Sequence, residues 1–157
     1  MTAVSAVLAG LEDTRPWQEE LYRDLHQHPE LSHQETRTAG LVADRLRGAG
    51  FEVHERVGGT GVVGVLRNGD GATVLLRADM DALPVREATG LPYASQVTTT
   101  DADGNEVPVM HACAHDAHVA CLAGAAQLLA DRSADGDERA HWRGALPGRP
   151  APERGVP

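Results

Sequence analysis

Val109-Met-His-Ala-Cys-Ala-His-Asp-Ala-His118 gathers three histidines, a cysteine and an aspartate into ten residues, and an alanine-rich apolar run from Val119 to Ala130 follows at once. Soft and borderline donors at the mouth of a helix are what a divalent metal site requires. The spacing restricts the backbone. Residues two apart on a helix point to nearly opposite sides, so Cys113 and His115 cannot serve one ion from inside a helix. In an extended segment they share a face, and His111 would fall on the same side. A run that starts near His115 instead puts His115 and His118 on one helical face. The stretch therefore predicts an extended approach to Cys113, a turn, and a helix from His115 or Asp116 to about Arg132, with Val119, Leu122, Ala123, Ala126 and Leu129 facing inward. Taken singly, each of these residues reads as a buried cysteine or a capping group; five candidate ligands in so short a window favour a metal.

Upstream, Ala78-Asp-Met-Asp-Ala-Leu-Pro84 places Asp79 and Asp81 just past a run, Thr73 to Arg77, that reads as a buried central strand. Ligands gather at the carboxyl ends of strands in open α/β sheets. The two carboxylates could hold a metal, or one of them could orient a metal-bound histidine. The competing reading is that they cap the turn before Pro84. Two earlier strands are expected at Phe51–Val57 and Val62–Leu66, joined at Gly58-Gly-Thr-Gly61. That turn lacks the Lys-Ser/Thr ending and following helix of a phosphate loop. Residues 85–108 read as a long polar loop with a solvated tip at Asp101–Glu106.

The amino-terminal third is helical by pattern. After a short lead over residues 1–12, Asp13 or Thr14 can cap a helix whose apolar face is Trp17, Leu21 and Leu25, ending before Pro29. Ser32-His-Gln-Glu35 reads as a capping box for a second helix with Leu41, Val42, Leu46 and Ala49 inward and a stop at Gly50. His26, His28 and His33, around the intervening turn, read as surface or capping histidines, since no ligand spacing links them.

The 157 residues suffice for one domain with an aliphatic core, aromatics being only 3%. A net charge of −9 disfavours nucleic acid and anionic membrane surfaces as partners. No apolar run approaches a membrane span and the start lacks the features of a signal peptide. Two cysteines make no disulfide framework, and a cytoplasmic location fits. From Ser133 the periodicity stops, and the Pro/Gly/Arg-rich end is expected to be disordered.

Several of these segments resemble one family. Leu25-His-Gln-His-Pro-Glu30, Thr60-Gly-Val-Val63, Arg77-Ala-Asp-Met-Asp-Ala-Leu-Pro84, Gly90-Leu-Pro-Tyr-Ala-Ser95 and Met110-His-Ala-Cys-Ala-His-Asp-Ala-His118 resemble, in order and spacing, the amino-terminal part of M20 metallopeptidases. The resemblance is greatest to the amidohydrolase branch of hippurate hydrolases and N-acyl-amino-acid and auxin-conjugate amidohydrolases. It implies an α/β, zinc-peptidase-like catalytic domain, helices packed on a mixed sheet, of which residues 1–132 would be an incomplete part and 133–157 a disordered, non-native tail. It implies Cys113 and His115 as metal ligands, Asp81 as the catalytic aspartate supporting them, and divalent ions (manganese, zinc, cobalt or nickel), two in the whole enzyme. The implied reaction is hydrolysis of a small N-acyl amino acid by metal-activated water, the implied assembly a homodimer. A dipeptidase or carboxypeptidase of the same family, or a non-catalytic metal-binding module, is the alternative.

The chain departs from the family pattern twice. The family carries glycine where Ala114 stands; if that position needs φ > 0, alanine is strained by about 1 kcal/mol or more. The family also continues into a Gln-Pro-Ala-Glu-Glu motif bearing the general base, where this chain reads Pro147-Gly-Arg-Pro-Ala-Pro-Glu-Arg154. Glu153 does not match that base. The expectation is a truncated or frame-shifted chain, unable to hydrolyse amides and left with an unpaired sheet edge.

Overall fold

Residues 3–134 and 143–146 are described here by a computed structural model. Helix α1 (Ala3–Val7) and a single 3₁₀ turn run directly into α2 (Leu11–Gln27). Because the helical path already begins upstream, Thr14 does not cap it; its hydroxyl donates back to the Gly10 carbonyl at 2.8 Å, and Pro16 lies inside the helix. Leu21 and Leu25 are buried as their spacing predicts.

The start of α3 (Thr36–Gly48) corrects the capping-box reading. His33 sits at φ 65, the chain curls from Leu31 to Gln34, and the cap comes from Glu30 instead. Its carboxylate accepts the Arg37 and Thr38 amides at 2.9 and 2.7 Å. Glu35 turns inward, fully buried, and accepts the Thr60 hydroxyl at 2.6 Å. The far end stops as expected: Gly50, at φ 85, lets the Gly50 and Phe51 amides reach the Arg47 and Leu46 carbonyls, a Schellman closure.

Strands β1 (Glu52–Val57) and β2 (Gly61–Val65) form the expected hairpin, with a register break between His54 and Val57. The strand expected over Thr73–Arg77 shrinks to β3 (Leu75–Leu76), and it is not buried: Leu75 is 65% exposed. Strand β6 (Arg143–Leu146) corrects the expectation for the tail. It fits between β2 and β3, antiparallel to the first and parallel to the second, giving the order β1-β2-β6-β3. Arg-Gly-Ala-Leu is too short to show alternation, and its pairing is fixed by backbone groups that β2 and β3 both offer, which no pattern in its own residues displays. The remainder of 133–157, apart from the end of α4, lies outside the described residues. Part of the polar loop is also ordered: β4 (Thr98–Thr100) pairs with β5 (Glu106–Pro108), and Asp101 at the tip accepts the Asp103 and Asn105 amides.

Helix α4 (His115–Ala134) is the axis of the core. Val119, Ala120, Ala123, Ala126, Leu128, Leu129 and Ala130 are all buried, against α2 and α3. At the α2–α4 crossing Gln18 lies across Gly124 to donate to the Ala120 carbonyl at 3.1 Å, and a Cβ at 124 would push that side-chain amide aside. Leu46, Phe51, Val62, Met80 and Val119 join the two helical layers to the hairpin. No helix among the described residues is long and apolar enough to cross a membrane.

Candidate metal centre

Two backbone pairings bring the separated motifs together. Leu83 and Met110 exchange amide-to-carbonyl hydrogen bonds, both 3.0 Å, and the Ala82 amide donates to the Glu30 carbonyl at 2.8 Å. The Asp81 segment is thereby laid beside the cysteine–histidine stretch, as the sequence pattern predicts. Beyond Met110 the chain turns. The Ala112 amide donates to the Met110 carbonyl at 2.9 Å, Ala114 adopts φ 60, and α4 begins at His115. An extended approach, a turn and a helix from His115 are therefore all present.

Asp81 and His115 form the ordered half of the site. The His115 Nδ1 atom lies 2.9 Å from the Asp81 carbonyl oxygen and 3.0 Å from its Oδ1. A carbonyl oxygen only accepts, so Nδ1 carries a proton, and in the neutral ring Nε2 keeps its lone pair. Asp81 is 6% exposed, so its orientation is fixed by packing. This is how a carboxylate prepares a histidine for a metal, setting both tautomer and ring direction. Of the aspartate pair, Asp81 is the one in contact with His115. Asp79 is engaged elsewhere, by the Arg77 guanidinium.

Cys113 is exposed in the turn. A thiol and an imidazole nitrogen with its other nitrogen already engaged fit a divalent ion as a partial donor set. Among the described residues no three His, Cys, Asp or Glu side chains converge closely enough to hold one. His118 is exposed, its ring centroid 5.8 Å from that of His115. His111 does not share the face of Cys113: it is 4% exposed while Cys113 is open, because the turn at Ala112 breaks the extended alternation. Neither ring nitrogen of His111 has a hydrogen-bond partner among the described residues. Burial holds its pKa below the ordinary value, against the charges of Asp116 and Asp81.

Behind the turn lies a cluster that the sequence pattern does not reveal. His26, expected at the surface, is buried; its Nδ1 lies 2.6 Å from Asp116 Oδ2 and its Nε2 3.1 Å from Glu87 Oε1. The rings of Tyr22 and Tyr93 stand 5.7 and 5.5 Å from its own. Burial opposes its charge, but the hydrogen bonds to Asp116 and Glu87 prevail and raise its pKa. Glu87 is held below the usual carboxylate range: burial raises it, and the Thr89 hydroxyl, the Ser95 amide and His26 together more than offset that. The available signal was positional. His26 stands one turn after Tyr22 and next to Leu25, on the buried side of an amphipathic helix, where a histidine needs partners. His28 is at the surface as expected, with Nδ1 2.8 Å from the Asp24 carbonyl.

Known proteins resemble this chain in sequence and in fold. The model of the peptidase family M20/M25/M40 matches residues 75–141. The hippurate hydrolase of Campylobacter jejuni is 45% identical over 119 residues, 75% of this chain and 29% of the relative. Thermostable carboxypeptidase 1 of Saccharolobus solfataricus is 46% identical over 131 residues, 82% of this chain and 31% of the relative. In structure, the Bacillus subtilis YXEP protein, described as a dinuclear metal binding peptidase from the M20 family, superposes with a TM-score of 0.74 at 34% identity, over 87% of this chain and 36% of that one. The chain thus spans about a third of the length of the relatives it matches. Shared sequence around the turn and a shared fold at this identity agree: the chain belongs to the M20/M25/M40 peptidase family.

Proposed function

We propose that the Cys113–His115 turn is part of the metal site of an amidohydrolase acting on N-acyl amino acids. One observation carries the reading: the Nδ1 atom of His115 is held by both the carbonyl and the carboxylate of Asp81, which leaves Nε2 as the ring's other donor, two residues after the exposed Cys113. Cys113 and His115 would hold a divalent ion, and Asp81 keeps the imidazole in the metal-binding tautomer. When bound, such an ion polarises an amide carbonyl and lowers the pKa of water. In a cobalt(II) titration of the 157-residue chain, a thiolate-to-metal absorption band is expected, lost in Cys113→Ser. Unchanged metal stoichiometry and affinity in a folded Cys113→Ser protein would remove the assignment.

On this reading the general base of such a reaction lies outside the described residues. Glu30 caps α3, Glu35 is enclosed beneath Thr60, and Glu87 is engaged by His26. A positioned base is worth about 10²- to 10⁴-fold in rate. The 157-residue chain loaded with manganese or zinc is therefore expected not to turn over hippurate, N-acetyl amino acids or dipeptides. Turnover at roughly 1 per second or faster, typical of enzymes, would refute this, and the preferred substrate would then separate the amidohydrolase reading from that of a carboxypeptidase or dipeptidase.

A further inference from the structure

The His26 cluster joins three segments that are distant in sequence. Its side chains are closed to solvent: His26, Asp116 and Glu87 are 7%, 1% and 0% exposed. Both carboxylates accept, so His26 donates from both ring nitrogens. Asp116 directly follows His115, and its other oxygen accepts the Ala117 amide at 2.9 Å, inside the first turn of α4. Glu87 continues the connection. Its Oε2 accepts the Ser95 amide at 2.6 Å, and the Ser95 hydroxyl donates to the Val109 carbonyl at 2.8 Å. The turn from Met110 to His115 is thus held on both sides, at Val109 where it begins and at Asp116 where it ends. Among the described residues no hydrogen bond runs from His26 to Cys113 or His115; the His115 ring is hydrogen-bonded to Asp81.

We propose that His26 is a positioning residue for the metal turn: by gripping Asp116 against Glu87 it fixes the first turn of α4, and with it the direction in which His115 and Cys113 are presented. The proposal rests on the reading of Cys113 and His115 as metal ligands. A ligand pair surrounded by mobile backbone binds an ion poorly, so the supporting contacts set affinity as well as shape.

The test uses the 157-residue chain, cobalt(II) and amide hydrogen exchange. His26→Ala is expected to weaken cobalt binding by roughly tenfold or more, the range for groups that orient ligands, and to speed exchange across 112–118 while the α3 amides keep their protection. His26→Asn places its amide nitrogen where Nδ1 stands, so it is expected to restore most of the affinity through Asp116. His26→Gln places its nitrogen near Nε2, reaches Glu87 only, and is expected not to. This pair decides the matter even if the alanine variant does not fold. Equal impairment of the Asn and Gln variants, or wild-type affinity and exchange in His26→Ala, would overturn the role of His26. A wild-type chain with no thiolate band would instead overturn the metal reading beneath it.

Discussion

Two histidines in this chain lean on buried aspartates, and they end in opposite conditions. His26 has both ring nitrogens occupied, by Asp116 and Glu87, and is closed to solvent. His115 has one nitrogen occupied, by Asp81, and its side chain is 22% exposed. The same pair of residue types thus builds a closed structural ion cluster in one place and a half-open ligand in the other. What separates them is the number of acceptors. A second carboxylate uses up the second nitrogen and makes the histidine a bridge; its absence leaves a lone pair for something else. A histidine–carboxylate pair becomes a candidate site only once the other nitrogen has been accounted for.

The largest effect is expected on the closed side. Replacing His26 by leucine leaves Asp116 and Glu87 buried and facing one another without a cation. Breaking a buried pair in this way costs about 3–5 kcal/mol, readable from urea unfolding. Glu87→Gln in the same background is expected to recover part of the loss by removing one of the two charges. A loss below about 1 kcal/mol, the size of an exposed pair, would show that the cluster is solvated. The dependence on pH follows from the shifts. The folded-state pKa of His26 is raised above the ordinary 6.5, so its contribution is complete below about 6.5 and is lost as pH rises through the raised value. Glu87 is lowered from 4.5, so its contribution is present above that and is lost as pH falls through its folded value. The stability difference between wild type and His26→Leu is expected to be greatest between about pH 4.5 and 6.5. A difference that grows on the alkaline side would reverse the assigned charge of His26.

On the open side the corresponding change is Asp81→Asn. The carbonyl contact to His115 remains, while the carboxylate that makes the imidazole a better donor is gone. Metal affinity is expected to fall about 10- to 100-fold, with little change in unfolding free energy, because the amide still fills the space. Equal affinity in the two proteins would mean that the backbone carbonyl suffices to orient His115.

The open side was legible in the sequence because its signals are local. Cys113, His115 and the helix start lie within one short window, and Asp81 lies within a second, which the Leu83–Met110 pairing brings beside the first. The helical stripes of Leu21, Leu25, Val42 and Leu46 are equally local, and they fixed the core. The closed side was not legible, because each of its bonds spans a long stretch of chain. His26 and Glu87 are 61 residues apart, and His26 and Asp116 are 90 apart. No spacing rule connects them, and a histidine beside Pro29 reads as part of a surface turn. The capping box failed for a related reason: Ser32 and Glu35 have the right spacing, but a turn at His33 gave the cap to Glu30. β6 escaped because a short inserted strand takes its stability from the neighbours on both sides rather than from its own residues.

The smallest effect tests the turn that the two histidines flank. Ala114 holds φ 60 between Cys113 and His115. An L-residue in that region costs roughly 1–2 kcal/mol relative to the right-handed form. Glycine removes the strain, though it adds about 0.4–1 kcal/mol of unfolded-chain entropy. Ala114→Gly is therefore expected to stabilise the chain by up to about 1 kcal/mol. Ala112→Gly, at a position with no positive φ to relieve, is expected to destabilise it by a similar amount. Opposite signs for two alanine-to-glycine changes on either side of Cys113 cannot arise from composition or from a general loosening of the turn. They require the backbone to be left-handed at 114 and not at 112. If both variants lose stability, the turn takes another path, and the direction assigned to Cys113 changes with it.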